Sequence, residues 1–145
     1  MNPDFVSLLR ALSDAKARFL IVGAYALAHH ARPRATGGLD LWVDASPENA
    51  ARVYATLRAF GAPLDDLTEA DLTRPELVYQ IGVAPRRIDI LTTLTGLAFS
   101  EAWVSREAGR FGDAECQYIG REDLIRNKRA LGRARDLADL EALGE

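Results

Sequence analysis

Apolar residues near the start of the chain repeat first at helix spacing and then at strand spacing. A single apolar stripe after Asn2-Pro3, which has the residue types of a helix start, predicts a helix over residues 3–16. The all-apolar run at 19–22 is typical of a buried strand. Apolar and polar residues alternate over 39–44, which predicts a second strand. The stripe of the first helix consists of Phe5, Leu8, Leu9 and Leu12.

The rest of the chain continues this alternation. Turn and cap residues separate further predicted helices at 24–31, 46–60 and 98–105, strands at 77–83 and 87–91, two short strands within 106–119, and C-terminal helices broken at Gly132. Residues 61–75 are predicted to be a loop. The pattern predicts an α/β fold with a small mixed β-sheet flanked by helices and a helical C-terminus.

Composition limits the class of protein. The 145 residues are 48% apolar and 27% charged, which fits one globular domain over 1–145. A net charge of −3 argues against binding nucleic acid by overall charge, but it leaves room for a local basic pocket. A single cysteine, Cys116, favours a cytoplasmic protein. No apolar run is long enough to span a bilayer, so no membrane partner is expected.

Two aspartates in predicted strands carry the main chemical signal. Asp40 lies in the strand at 39–44 and Asp89 in the strand at 87–91. Carboxylates on neighbouring strands can hold a hard divalent cation. The position that would complete such a site is 38, two residues before Asp40 and hence on the same strand face. Gly38 stands there, so the sequence predicts a metal site that lacks one ligand, which Gly38→Asp would restore.

Other residues favour a phosphate ligand. Gly23 follows a buried strand and precedes a helix, where backbone N–H groups face an anion. Arg34 and Thr36 lie just before the acidic strand, where they can contact a triphosphate or form part of a solvated basic loop. Lys128 and Arg133 lie on the predicted C-terminal helices. Their side chains either contact phosphates or form salt bridges with Asp136 or Asp139.

Three segments together resemble a known family. LIVGAYALAHHARPRATGGLDLWVD (20–44), RRIDILT (86–92) and EDLIRNKRALGRARDLADLEAL (122–143) are similar to the minimal nucleotidyltransferases of the DNA polymerase β superfamily. The small bacterial branch associated with abortive-infection and toxin–antitoxin systems matches best. The family pattern is a glycine pair opening a helix, Thr-x-Asp-x-Asp on a second strand, and a third aspartate on a later strand.

The resemblance implies a nucleotidyltransferase-like fold and a role for each matching residue. Gly23 and Ala24 match the glycine pair beside the phosphates, with Ala24 a departure. Asp40 and Asp89 match the second and third metal-binding, catalytic aspartates, and the third also serves as general base. Gly38 replaces the first.

The family activity is Mg²⁺-dependent transfer of a nucleotidyl group from a nucleoside triphosphate to a protein or RNA hydroxyl. Gly38 implies that this transfer is impaired. The alternative is a catalytically inactive regulatory protein that binds a nucleotide or a partner protein, the partner being a toxin or an antitoxin.

The adjacent histidines 29 and 30 do not predict a metal site. Neighbouring residues on a helix point about 100° apart, so a helix-surface or capping role is expected for both.

Overall fold

The computed structural model describes residues 2–145; Met1, the first residue of the predicted domain range, lies outside the described residues. Within these residues, six helices and six strands alternate much as the hydrophobic pattern predicts, and a short 3-10 helix at Ala70–Thr73 adds structure to the predicted loop. The helices are α1 Pro3–Asp14, α2 Gly23–His30, α3 Pro47–Phe60, α4 Phe99–Val104, α5 Arg121–Leu131 and α6 Ala134–Ala142. The strands are β1 Phe19–Val22, β2 Gly38–Val43, β3 Val78–Ile81, β4 Arg87–Leu91, β5 Glu107–Phe111 and β6 Ala114–Tyr118.

The predicted helix ends have the expected local causes. The Asn2 side chain accepts a hydrogen bond from the Asp4 N–H at 2.8 Å, which caps α1. Ser46 caps α3 in the same way through the Asn49 N–H. Gly61 ends α3 with φ +91°, and Gly132 ends α5 with φ +63°, a conformation that favours glycine.

The sheet is mixed and has the order β3-β4-β2-β1-β6-β5. β1 pairs antiparallel with β2, and β2 pairs parallel with β4. β3–β4 and β5–β6 are antiparallel hairpins. This arrangement confirms the predicted α/β fold with a small mixed sheet and flanking helices.

The hydrophobic core lies between the sheet and the helices. The α1 stripe predicted from the sequence, Phe5, Leu8, Leu9 and Leu12, is at most 1% exposed. β1 is buried along its whole length, as its all-apolar sequence predicts. Burial of these elements fixes the centre of the sheet, and with it the positions of Asp40 on β2 and Asp89 on β4.

No helix in residues 2–145 combines the length and the hydrophobicity needed to cross a membrane.

Candidate functional site: a charged pocket at the start of helix α2

The two aspartates lie side by side at the centre of the sheet. Asp40 on β2 and Asp89 on β4 are direct partners in the parallel register of these strands. Asp89 is buried, and Asp40 is partly buried. Burial and the neighbouring negative charge of Asp89 raise the pKa of Asp40 to about 6, although Arg87 and Lys128 oppose this shift. The pair therefore carries concentrated negative charge that favours a proton or an added cation.

Gly23 opens α2 directly against this pair. It has φ +66°, and a Cβ atom at this position would overlap the Asp40 carboxylate. Only glycine adopts this positive φ readily and also leaves the Asp40 carboxylate where it is. Within the described residues no side chain caps the first turn of α2. The unpaired N–H groups of this helix end therefore face the region beside Asp40.

Arg87 provides an internal cation for Asp89. It lies two residues before Asp89 on β4, so both side chains are on one face of the strand. Its Nε donates to both carboxylate oxygens of Asp89, at 3.1 and 3.2 Å. This contact neutralises part of the charge that a metal ion would otherwise meet.

Gly38 lines the same pocket as Asp40, but the neighbouring strand restricts what can stand at this position. A Cβ at position 38 would overlap the backbone carbonyl of Arg87 on the neighbouring strand. The Thr36 hydroxyl further fixes this segment, because it accepts from the Gly38 N–H at 3.3 Å and donates to the Gly38 carbonyl at 2.9 Å. Gly38→Asp therefore requires the β2 or β4 backbone to shift, and its effect on metal binding stays a prediction.

The C-terminal helices cover the pocket with a second, fully paired group of charges. Lys128 on α5 is 3% exposed, and its Nζ lies 3.0 Å from Asp139 and 3.5 Å from Asp136 on α6. Arg34 donates from Nε and Nη2 to the two carboxylate oxygens of Asp139 at 2.9 and 3.1 Å. Arg133 binds Asp136 in the same two-bond manner. The salt-bridge alternative predicted for Lys128 and Arg133 is thus present.

These ion pairs change the acidity of the α6 aspartates. Burial acts to raise the pKa of Asp139, but the hydrogen bonds from Arg34 and Lys128 outweigh it and hold this pKa below its ordinary value. Burial likewise acts to raise the pKa of Asp136, and the bonds from Arg133 together with the charge of Lys128 lower it.

One pocket of about 350 Å³ brings the predicted site residues together. That volume lies at the lower end of the range of small-ligand sites. The predicted residues that line it are Gly23, Ala24, Arg34, Thr36, Asp40, Asp89 and Lys128. Their roles in nucleotide and metal binding stay predictions.

Sequence reasoning missed several other lining residues. Arg87 was recognisable, because its i−2 relation to Asp89 places it on the same face of a strand. Asn127 and Arg135 had no such signal, since their positions depend on how α5 and α6 pack on the sheet. Of the pocket lining, five side chains are cationic and two are carboxylates. The cations are Arg34, Arg87, Lys128, Arg133 and Arg135.

The donor set accommodates one hard cation better than two. Asp40 and Asp89 offer two adjacent carboxylates, and Mg²⁺ is commonly bound by one or two carboxylates together with substrate phosphates. A second ion bridged by residue 38 does not fit, because that position has no side chain and no space for a Cβ.

Comparison with known proteins supports the fold. No family model matches the chain, and no curated protein matches it in sequence. A crystal structure of a "putative nucleotidyltransferase" from Thermotoga maritima superposes with a TM-score of 0.61 at 13% sequence identity. The match covers 97% of this chain and 92% of that chain. The chain therefore has a nucleotidyltransferase-like fold.

Proposed function

We propose that this protein binds a nucleoside triphosphate in the pocket beside Gly23 and transfers its nucleotidyl group slowly to a hydroxyl. The acceptor hydroxyl belongs to a protein or an RNA in this proposal. The observation that carries it is the direct pairing of Asp40 and Asp89 against the first turn of α2, inside a pocket with five cationic side chains.

The charge distribution of the pocket suits a triphosphate with one bound Mg²⁺. Asp40 and Asp89 would hold the ion, which supplies positive charge against the phosphates. The backbone N–H groups at the start of α2 face an anion favourably. Arg135 lies around the same space and adds positive charge. Arg34 and Lys128 also line the pocket, but each must exchange part of its pairing with the α6 aspartates to contact a phosphate.

The transfer step assigns one chemical role to Asp89. The acceptor oxygen forms a bond to the α-phosphorus, the bond from this phosphorus to its bridging oxygen breaks, and pyrophosphate leaves. The acceptor proton passes to Asp89. Because Arg87 already donates to both oxygens of Asp89, an acceptor hydroxyl competes with Arg87 for this carboxylate. The same contact thus slows the reaction in this proposal.

The second candidate is a regulatory protein that binds the nucleotide but catalyses no transfer. Two observations favour it: the Arg87–Asp89 pairing and the lack of space for a side chain at position 38. Such a protein would act through a partner, a toxin or an antitoxin, with the nucleotide setting the state of the pocket.

Both candidates require that the protein binds a nucleotide. Calorimetric titration of the protein with ATP, in the presence of Mg²⁺, tests this binding. We expect binding by the parent protein and a loss of at least about tenfold in Asp40→Asn and Asp89→Asn, since each removes one charged ligand. Asp44→Asn is the matched control, because Asp44 directly follows β2, lies outside the pocket and contacts Ser46. Absence of ATP binding by the parent would contradict both candidates.

A transfer assay separates the two candidates. The parent is incubated with Mg²⁺ and ATP labelled at the α-phosphate, with total RNA or with the protein itself as acceptor. Covalent label that disappears in Asp89→Asn supports transfer. ATP binding without covalent label supports the regulatory candidate.

A further inference from the structure

A cluster of two histidines and one glutamate lies at the other end of α2, away from the pocket. His29 and His30 are the last two residues of this helix, and Glu107 is the first residue of β5. One potential ligand atom from each of these side chains lies within 4.8 Å of the others. Because adjacent helical positions diverge by ~100°, the sequence predicted a helix-surface or capping role for both histidines. In the structure both side chains nevertheless approach Glu107.

The contacts of His30 define which of its nitrogens is available. Its Nε2 lies 2.7 Å from the backbone carbonyl of Ile119, which only accepts hydrogen bonds. Nε2 therefore carries a hydrogen, and in the neutral ring Nδ1 carries a lone pair. Nδ1 lies 3.7 Å from a Glu107 oxygen and has no hydrogen-bond partner among the described residues, while the His30 side chain is only 5% exposed. In this neutral tautomer a lone pair and a carboxylate face each other, an arrangement that a bound cation stabilises.

The His29 ring is held in place by a stacking contact as well as by Glu107. It stacks on Tyr118 with a centroid distance of 4.0 Å and an interplanar angle of 7°. Gly109 leaves the space for this stack, since a Cβ there would lie 2.9 Å from Tyr118 and 3.0 Å from His29. The Nε2 atom of His29 lies 3.0 Å from Glu107 Oε1. Both imidazoles are therefore oriented toward one carboxylate before any ligand binds.

We propose that His29, His30 and Glu107 form a zinc-binding site in which His29 Nε2, His30 Nδ1 and the Glu107 carboxylate are the ligands. Two imidazoles with one carboxylate are a ligand set that Zn²⁺ accepts, and the site needs a fourth ligand from water. Ligand atoms around a tetrahedral zinc lie roughly 3.4 Å apart. His29 Nε2 lies 3.0 Å from Glu107 Oε1 and His30 Nδ1 lies 3.7 Å from the other oxygen, Oε2, so both nitrogens are close to this separation from the carboxylate.

The His30–Ile119 contact corresponds to a common feature of zinc sites. A metal-bound histidine usually donates its second ring N–H to a carbonyl or carboxylate, which fixes the ring and its tautomer. The half-exposed Glu107 side chain leaves one side of the cluster open to solvent and to an entering ion. Imidazole nitrogen prefers zinc over magnesium, so this site differs in metal type from the Asp40–Asp89 pair.

The test uses full-length protein without a histidine tag, treated with a chelator, and titrated with zinc chloride by calorimetry. The parent should bind one zinc ion per chain. His30→Gln should weaken binding by more than about tenfold, because glutamine can keep the donor to Ile119 but has no counterpart of Nδ1. Glu107→Gln should weaken it similarly. Glu115→Gln on the neighbouring strand, an exposed glutamate paired with Arg110, is the matched control and should bind like the parent.

A second measurement uses the parent protein, so its result does not depend on whether the variants fold. Cobalt(II) added to the parent should give the visible absorption of a four- or five-coordinate nitrogen and oxygen site, and excess magnesium should not remove it. Asp40→Asn should leave both the cobalt spectrum and the zinc isotherm unchanged, which places the ion outside the pocket. The proposal is overturned if the parent does not bind zinc, or if His30→Gln and Glu107→Gln bind it as tightly as the parent.

Discussion

Two pairs of buried or half-buried aspartates within residues 2–145 have pKa shifts in opposite directions. At the centre of the sheet, Asp40 and Asp89 lie opposite each other, and burial with mutual repulsion raises the pKa of Asp40 to about 6. On α6, Asp136 and Asp139 are buried more deeply, yet hydrogen bonds from basic side chains lower the pKa of both. Burial alone therefore does not decide the state of a carboxylate in this protein.

The difference lies in how many cations each pair contacts. Lys128, Arg34 and Arg133 all bind the α6 pair, whereas Arg87 alone bonds to the central pair, through Asp89. Carboxylates whose charges are fully paired, like those of α6, contribute to structure and have little affinity left for an added cation. The partly compensated pair is the one that favours an external cation, which is the physical reason to place ligand chemistry there.

Removing the shared cation of the α6 pair should have the largest effect on stability. Lys128→Met leaves two buried carboxylates with less compensation, and we expect a loss of about 3–5 kcal/mol in the free energy of unfolding. Urea denaturation measures it. Arg129→Met is the matched control, because Arg129 is the next residue on α5, is exposed and pairs only at the surface with Glu145. Its effect should stay below about 1 kcal/mol. Equal effects in both variants would contradict the comparison.

A side chain at position 38 should disturb the strand pairing that aligns the central pair. Gly38→Ala forces β2 away from the Arg87 carbonyl, and we expect a loss of about 1–3 kcal/mol. Gly37→Ala is the neighbouring control, since the nearest atom to its Cβ is at 3.4 Å, an ordinary contact. Thermal unfolding of both variants tests this. A Gly38→Ala protein as stable as Gly37→Ala would show that β2 accepts a side chain there.

The two acid pairs should respond to pH in opposite directions. The folded-state pKa of Asp40 is raised from 3.8 to about 6. Its stabilising contribution is therefore present below about pH 4 and is lost as the pH rises through 6. In the presence of a chelator, Asp40→Asn should increase stability at pH 8 by about 2 kcal/mol and have little effect at pH 4.

The matching variant on α6 should do the reverse. The folded-state pKa of Asp139 is lowered, so its contribution is present above the unfolded-state value and is lost as the pH falls through the folded-state value. Asp139→Asn should therefore destabilise the protein at neutral pH, and the difference should shrink in acid. Denaturant titrations at a series of pH values measure both slopes, and slopes of the same sign would refute the distinction.

The smallest expected effect tests the contact between Gly23 and the central pair. Gly23→Ala and Gly61→Ala both place alanine at a positive φ, which destabilises by about 1 kcal/mol. Only Gly23 also has the Asp40 carboxylate in the way, whereas nothing lies within 4 Å of a Cβ at Gly61. We expect Gly23→Ala to lose about 1 kcal/mol more than Gly61→Ala. This excess should vanish when both changes are made in an Asp40→Ala background, as a double-mutant cycle measures.

Much of the architecture followed from local patterns. The α1 stripe, the all-apolar β1 and the alternating β2 have strong periodicity, and the structure confirms each of them. The pocket residues also come together as the family resemblance implied, because the register of β2 with β4 brings Asp40 beside Asp89. Boundaries shifted by one or two residues, as at β3, where the ends of the hairpin depend on pairing rather than on hydrophobicity.

What the sequence did not show lies where distant segments meet. Strand periodicity could not reveal that the β4 backbone comes so close to Gly38 that a Cβ atom there would overlap the Arg87 carbonyl. The pairing of Arg34 with Asp139 spans 105 positions of the sequence, and the His29–Glu107 contact spans 78. Periodicity within one element carries no information about such contacts, since they depend on how complete elements pack.

The order of the strands has a consequence for solubility during folding. β1 has β2 on one side and β6 on the other, and the β6 contact joins Ile21 to Tyr118, near the far end of the chain. Until the β5–β6 hairpin pairs with β1, one edge of this strand of four apolar residues has no hydrogen-bonding partner. Unpaired apolar edges pair readily with other chains, so loss of this hairpin should lead to aggregation rather than to a smaller folded protein.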